Sequence, residues 1–388
     1  MAKLIHEITD ESLETGLRGI PVGYCVTSRV DPQEGLFYHD KPIKELTHYS
    51  PEAVLYFLHS CNLETGPGLQ SFLEDLKKRA TLSRESKDAI AALPRRLHPM
   101  EMFSAALLIV GGLEGKNNYR EDCLDIIAKL PEIVACVINH HAGWSEATKS
   151  NPELGYIENF VQMLSIPGDI DKVAFCEFLR LFYILHMDHG GGNLSAFTGK
   201  VIASGLSDMY MSLSGAMCAL AGPRHGYANQ QALEFVKEAH ARLGDYPNEK
   251  DTETFIRDKL MKKELIYGFG HAVLRVEDPR ATIFYEFARE HVPNHPLVKV
   301  ALRIREAGTK VLKEDPKVAC PYPNIDAMSG TLLTALGFPY PDYYTVLFGL
   351  ARSAGIVMQI VYERMIARGG KGTPIVRPKY FYKPKGTC

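Results

Sequence analysis

Asp326 stands in Tyr322-Pro-Asn-Ile-Asp326-Ala-Met-Ser-Gly330, after a proline that restricts the approach and before a glycine that frees the exit. A carboxylate presented on such a loop, ahead of a helix expected at Thr331–Leu336, is a candidate general base. The bland alternative is a turn or a helix cap, the usual work of Asp and Ser beside Pro and Gly. Three other segments carry chemistry-bearing side chains. They are Gly222-Pro-Arg-His225-Gly-Tyr-Ala-Asn-Gln230, Tyr267-Gly-Phe-Gly-His271-Ala-Val-Leu-Arg275-Val-Glu-Asp-Pro-Arg280 and Phe348-Gly-Leu-Ala-Arg352-Ser-Ala-Gly355. His225 lies where a helix is expected to begin. There the positive end of the dipole disfavours imidazolium, so the ring is either a neutral donor or simply a cap. Arg352 interrupts the apolar run that starts at Val346. Most arginines end in surface salt bridges, but a buried one needs an anionic partner.

Several other patterns fail on inspection. Gly268-Phe-Gly-His-Ala-Val is half of a dinucleotide fingerprint, without its third glycine or a preceding βαβ unit. Gly192–Lys200 misses the phosphate-loop spacing, with Leu194 where glycine is needed and Val201 after the lysine. His186-x-Asp-His189 has no Cys or further His at ligand spacing, so a hydrogen-bonding site is favoured over a metal. The basic, aromatic stretch Lys379-Tyr-Phe-Tyr-Lys is one short patch on a near-neutral chain, which reads as a solvated tail rather than a nucleic-acid arm.

Taken in this order and spacing, the segments resemble the citrate synthase family, and its mitochondrial-type branch through Asp342-Tyr-Tyr-Thr-Val-Leu-Phe-Gly349. The match extends to His186-Met-Asp-His189-Gly-Gly-Gly-Asn193 and Val376-Arg377-Pro-Lys379, and covers the chain from Gly16 to Arg377. The resemblance implies condensation of acetyl-CoA with oxaloacetate, followed by hydrolysis of citryl-CoA. Removing a proton from a thioester methyl needs a base on one side and a donor to the thioester oxygen on the other. By resemblance Asp326 is that base, His225 the donor, and His271 the donor to the oxaloacetate carbonyl. His189, Arg280, Arg352 and Arg377 would hold oxaloacetate, since guanidinium matches carboxylate geometry. Arg275, Lys313 and Lys317 would meet coenzyme A, which arrives as part of the substrate; no metal or separate cofactor is expected.

The resemblance further implies a homodimer with Arg377 acting in trans. Small residues in Ser212-Leu-Ser-Gly-Ala-Met-Cys-Ala would allow close helix approach at its interface or within the chain. Arg224, Gly190 and Met328 depart from the residues usual at their positions, which bears on acyl-chain selectivity. A 2-methylcitrate synthase using propionyl-CoA is the alternative, since one methylene shifts selectivity by only about 1–3 kcal/mol. The same enzyme run in the citrate-cleaving direction is another. A catalytically silent assembly protein would be expected to lack one of His225, His271 or Asp326, and all are present.

The elements that must position these groups are nearly all helical. Residues 19–45 carry the only β pattern, a hairpin with Ile20–Ser28 as one strand, Asp31–Gly35 as the turn and Leu36–Tyr38 as the return. Helical periodicity follows over Ile157–Leu164, Lys172–His186, Gly199–Leu220, Gln230–Leu243, Thr252–Lys262, Ala281–His291, Leu297–Glu314 and Pro341–Arg368. The fold class is all-α, with helices packed on helices. The resemblance adds a large domain of residues 1–225 and 332–388, with a smaller one, 226–331, inserted.

Composition permits this. With 388 residues, 46% of them hydrophobic, the chain can bury a large core. A net charge of −2 gives no basic surplus for nucleic acid. Eight scattered cysteines form no C-x-x-C pair, and read as thiols of a reducing compartment. No run approaches the ~18 apolar residues needed to span a membrane. The first ten residues lack an apolar signal core and are too acidic for a transit peptide, so the expected location is the cytoplasm.

Overall fold

The computed structural model describes residues 6–63, 66–151, 153–168 and 170–383. It is an all-α fold with a small sheet near the N-terminus. Strands β1 (Ser28–Asp31), β2 (Gly35–Tyr38) and β3 (Lys41–Pro42) form an antiparallel meander, with Ser28 opposite Tyr38 and Asp31 opposite Gly35. The Asp31 carboxylate accepts from the backbone N–H groups of Gln33 and Glu34 and so shapes the turn. The first strand is shorter than its alternation suggests. Val22, Tyr24 and Val26 are exposed and pair with no strand among the described residues, where pairing begins at Ser28.

Sixteen α-helices follow among the described residues. They are α1 (Ile43–Leu46), α2 (Pro51–Ser60), α3 (Pro67–Arg79), α4 (Arg84–Ala91), α5 (Pro99–Glu114), α6 (Tyr119–Ala142), α7 (Tyr156–Met163) and α8 (Lys172–His186). Then come α9 (Leu194–Ser204), α10 (Met209–Leu220), α11 (Ala228–Leu243), α12 (Glu249–Met261), α13 (Pro279–His291), α14 (Pro296–Leu312), α15 (Asp326–Ala335) and α16 (Tyr344–Val361). Local chemistry sets many starts: Ser50, Asn118, Asp171, Asn193, Asp208, Asn248 and Asp278 each cap the helix they precede with a side-chain oxygen.

Two helix boundaries differ from expectation. The run read as one helix over Gly199–Leu220 is α9 and α10, because Leu206 takes a left-handed φ of 69° and Asp208 starts a new helix by accepting from Met211 N. The helix expected at Thr331 begins five residues earlier, at Asp326, whose N–H donates to Asn324 Oδ1. Gly330 is therefore inside α15 and does not free an exit. A Cβ there would lie 2.8 Å from Asn229 O, so its role is to let α11 approach.

Helix α16 is the axis. Every residue from Tyr344 to Ile360 is buried, against α5, α6, α8, α9, α10 and α11. Contrary to the expectation that no run approaches a membrane span, the wider stretch Pro341–Ile366 is long and apolar enough to cross a bilayer; Arg352 within it breaks the run in sequence. It is the buried core helix of this fold instead. Helices α11, α12, α13, α14 and α15 pack chiefly on one another, and meet the rest through α8, α16 and α1.

Candidate active site

The loop after α8 is held from three sides. Asp188 is fully buried, and its carboxylate accepts from His189 N (2.9 Å), Gln359 Nε2 (2.7 Å) and the Thr27 hydroxyl. Tyr38 donates to Ile184 O at 2.7 Å and accepts from Asp188 N at 3.1 Å. Gly355 supplies the remaining contact: a Cβ there would sit 2.5 Å from Met187 O, so only glycine lets α16 approach the loop. His189 is thereby fixed, yet its Nε2 is buried with no partner. Burial, then Arg280 and Arg352, hold its ring neutral.

His225 lies in the loop between α10 and α11. Its Nε2 is 3.2 Å from the Ser195 backbone nitrogen and 2.9 Å from Ser195 Oγ. A backbone N–H can only donate, so Nε2 is the acceptor and the proton of the neutral ring is on Nδ1. Burial, helped by Arg352, pushes the imidazolium down to about 4, so the ring is neutral at physiological pH.

His271 shows the opposite tautomer. Its Nδ1 accepts from Val273 N at 3.0 Å and Leu274 N at 2.9 Å, which leaves the proton on Nε2. Burial and then Arg280 push this ring down to about 4 as well. Its edge faces His189, with ring centroids 5.3 Å apart. Gly268 and Gly270 take φ of +82° and +86°, so the chain can fold against the Tyr322–Asn324 segment. There Gly270 N donates to Tyr322 O, Asn324 N to Gly268 O, and Asn324 Nδ2 to Gly270 O. This strap ties the turn that precedes His271 to the segment that leads into Asp326, two stretches far apart in sequence.

Asp326 is the first residue of α15 and half-buried. Burial raises its carboxyl to about 6, against the pull of Arg280; Asp278 pushes the same way as burial, and Arg352 opposes. The two arginines differ from each other. Arg280 is buried and grips Asp278 with Nε (3.0 Å) and one terminal nitrogen (2.7 Å). Arg352 is equally buried, but its one hydrogen bond among the described residues runs from Nε to His186 O at 2.8 Å, with no carboxylate paired to it. Burial lowers its guanidinium to about 10.

The structure thus brings together His189, His225, His271, Arg280, Asp326 and Arg352. Arg275 and Lys313 border the strap: the Arg275 guanidinium donates to Val273 O and Leu274 O, and Lys313 Nζ lies 4.8 Å over the Tyr322 ring. Lys317 is exposed on the connection between α14 and α15. Arg377 is not brought to the cleft. It is exposed in an extended tail whose Val376 N donates to Ser204 Oγ at the end of α9. Sequence reasoning missed Asp188, Ser195, Tyr38 and Asp278. Only Asp278 left a signal, as a helix-capping Asp-Pro two residues before an arginine.

The site sets a half-buried carboxylate among neutral imidazoles and buried guanidinium groups, an arrangement suited to acyl-transfer chemistry. Comparison with known proteins gives the family. Residues 16–379 match the family described as citrate synthase, C-terminal domain. A mitochondrial 2-methylcitrate synthase of Yarrowia lipolytica is 34% identical, over 98% of this chain and 86% of that protein. The mitochondrial citrate synthase of Saccharomyces cerevisiae is 33% identical, over 98% and 83%. Among solved structures, citrate synthase from Thermotoga maritima superposes with a TM-score of 0.81 at 28% identity, covering 96% of both chains. A ternary complex of the Thermoplasma acidophilum enzyme with carboxymethyl coenzyme A and oxaloacetate gives 0.82 at 25% identity, covering 95% of both. The chain belongs to the citrate synthase family.

Proposed function

We propose that this chain condenses acetyl-CoA with oxaloacetate and hydrolyses the resulting citryl-CoA to citrate and CoA. One observation carries the residue assignment: two neutral histidines, protonated on opposite ring nitrogens, share a cleft with a carboxylate whose acidity is tuned upward. Asp326 removes the methyl proton of the thioester. A carboxyl that titrates near 6 is a stronger base than an ordinary aspartate, yet is ionised at neutral pH. His225 donates from Nδ1–H to the thioester oxygen as enolate charge develops, and the Ser195 N–H holds the ring in that tautomer. The enolate attacks the oxaloacetate carbonyl carbon, and His271 Nε2–H meets the forming alkoxide. Arg352, lacking an internal anion, takes one carboxylate; the free edge of Arg280 and the unpartnered His189 Nε2 take the rest. Arg275, Lys313 and Lys317 line the approach for the CoA phosphates. No step assigned here calls on a metal or a separate cofactor.

A second acyl donor also fits. The relative named 2-methylcitrate synthase is as similar as the citrate synthases, and the groups assigned would process propionyl-CoA in the same way. A thiol-release assay with oxaloacetate and a series of acyl-CoAs tests both readings. Release with acetyl-CoA at the higher kcat/KM supports the first, a preference for propionyl-CoA replaces it with the second, and no release with any donor sinks both.

In a homodimer Arg377 would complete the partner's site, which accounts for its exposure in this chain. Mixing Arg377→Ala with Asp326→Asn chains should restore activity, because one site of the mixed dimer collects both defects and the other neither. Confirmed subunit exchange with no recovered activity would return Arg377 to its own chain. Helices α11 to α15, spanning the 226–331 unit, would close on oxaloacetate and exclude water from the enolate. The mitochondrial relatives favour a mitochondrial compartment over the cytoplasm for this chain, which fractionation of the source cells would test.

A further inference from the structure

Outside the cleft, the structure holds a second pairing of a nucleophile with a base. Cys61 follows the last residue of α2, in the left-handed conformation (φ 59°), and its N–H donates to Phe57 O at 2.8 Å. The residue is exposed. Its Sγ lies 3.5 Å from Nδ1 of His39, which follows strand β2. The other ring nitrogen, Nε2, is 3.1 Å from Phe57 O and 3.3 Å from Leu58 O. Carbonyl oxygens only accept, so Nε2 carries the proton, and in the neutral ring Nδ1 is the acceptor that faces the thiol. Phe57 also packs its ring edge-on to the imidazole, with centroids 5.0 Å apart. On the strand side His39 N donates to Thr27 O at 2.8 Å, and the preceding residue is the fully buried Tyr38. The base is therefore oriented by backbone groups on both sides, the arrangement an assisted nucleophile requires.

We propose that Cys61 is a modification site, at which His39 assists attack on low-molecular-weight disulfides. The thiol proton passes to His39 Nδ1 as Cys61 Sγ attacks one sulfur of the disulfide. A new S–S bond forms, the old one breaks, and the departing thiolate takes the proton back from the imidazolium. Cys61 is oxidised to a mixed disulfide and half of the reagent is reduced to thiol, so the exchange balances without another oxidant.

The test uses glutathione disulfide on the whole protein, with acid quenching and mass-spectrometric mapping of the peptide that holds Cys61. A synthetic peptide of residues 55–63 is the unassisted standard. Cys61 in the folded protein should react at least about tenfold faster than in the peptide, a modest share of what a positioned base contributes. His39→Asn, chosen because asparagine tolerates the positive φ of 48° at this position, should bring the rate down to that of the peptide. A folded protein that reacts no faster than the peptide overturns the proposal, as does a folded variant that reacts as fast as the wild type. If circular dichroism shows that the variant does not fold, the wild-type-to-peptide ratio decides alone.

Discussion

The two walls of the cleft are built on different principles. On one, the strap and the start of α13, the site groups are anchored by the protein itself: His271 Nδ1 accepts two backbone N–H groups, and Arg280 grips Asp278 with two prongs, which leaves His271 Nε2 and the other edge of Arg280 for a ligand. On the other, along α16 and the loop after α8, needs are unmet. Among the described residues, Arg352 is buried without a paired carboxylate, and His189 Nε2 is buried without a hydrogen-bond partner. Burying a charge without a counter-charge is costly. The first wall is thus positioned by the protein for itself, while the second, on the function proposed, would be completed by the carboxylates of oxaloacetate. The difference separates an arginine anchored to a carboxylate of the fold from one with no carboxylate among the described residues, which burial alone cannot do, since both are almost fully buried.

The largest expected effect falls on the group that stands between the walls. Asp326→Asn should lower kcat by roughly 100- to 10,000-fold, the usual contribution of a positioned base. Oxaloacetate affinity, measured by calorimetry, should stay within a few-fold, because Asp326 acts on the other substrate. A kcat near wild type would remove Asp326 from the mechanism. The same variant should gain stability above pH 6. The carboxyl titrates near 6 in the fold against 3.8 as a reference, so the folded state holds its proton longer and stability falls as pH rises through that window. Asparagine has no such proton to lose. Denaturant midpoints at pH 5 and pH 7.5 would show it.

Next in size, the two arginines should part company. Arg280→Leu leaves Asp278 buried and unpaired, and should cost about 3–5 kcal/mol of stability. Arg352→Leu removes a buried charge that makes no ion pair among the described residues, with Asp188 only a nearby influence, so the ligand-free protein should be about as stable as wild type. Its thermal shift with oxaloacetate should disappear. Equal destabilisation by both substitutions would erase the distinction between the walls.

Much of this contrast was legible before the fold was known. His225, His271, Asp326, Arg280 and Arg352 sit in short contiguous motifs, and Arg352 announced itself as a charge within an apolar run. Asp188 lay inside the His186-x-Asp-His189 motif, but its role and that of Tyr38 were hidden because the bond that joins them spans 150 residues. Periodicity gave Lys172–His186 to the residue but fused α9 with α10, since the turn at Gly205–Asp208 interrupts small and apolar residues that suit a helix equally well. The strand from Ile20 was over-read because alternation reports a buried face without saying which chain buries it.

The two walls also predict a pH profile. The cleft histidines are already neutral above about 4, whereas Asp326 ionises near 6. The acid limb of kcat/KM for the acyl-CoA should therefore fall near pH 6, as expected for ionisation of the base in the free enzyme. A limb near 4 would mean that the histidines, and not the base, govern activity on that side.

The smallest effect should come from Ser195→Ala. Two groups of this residue meet His225 Nε2, the backbone N–H at 3.2 Å and the hydroxyl at 2.9 Å. Only the hydroxyl is removed by the substitution. The backbone N–H remains, and with it the requirement that Nε2 accept and Nδ1 carry the proton. A neutral hydrogen bond is worth about 0.5–1.5 kcal/mol, so kcat should fall by no more than roughly tenfold. Nitrogen-15 chemical shifts of the His225 ring should still report the Nδ1–H tautomer. If the tautomer switches, or activity collapses as far as in Asp326→Asn, the hydroxyl and not the backbone sets the donor. The wall that holds His225 would then be held by a side chain that sequence change can remove.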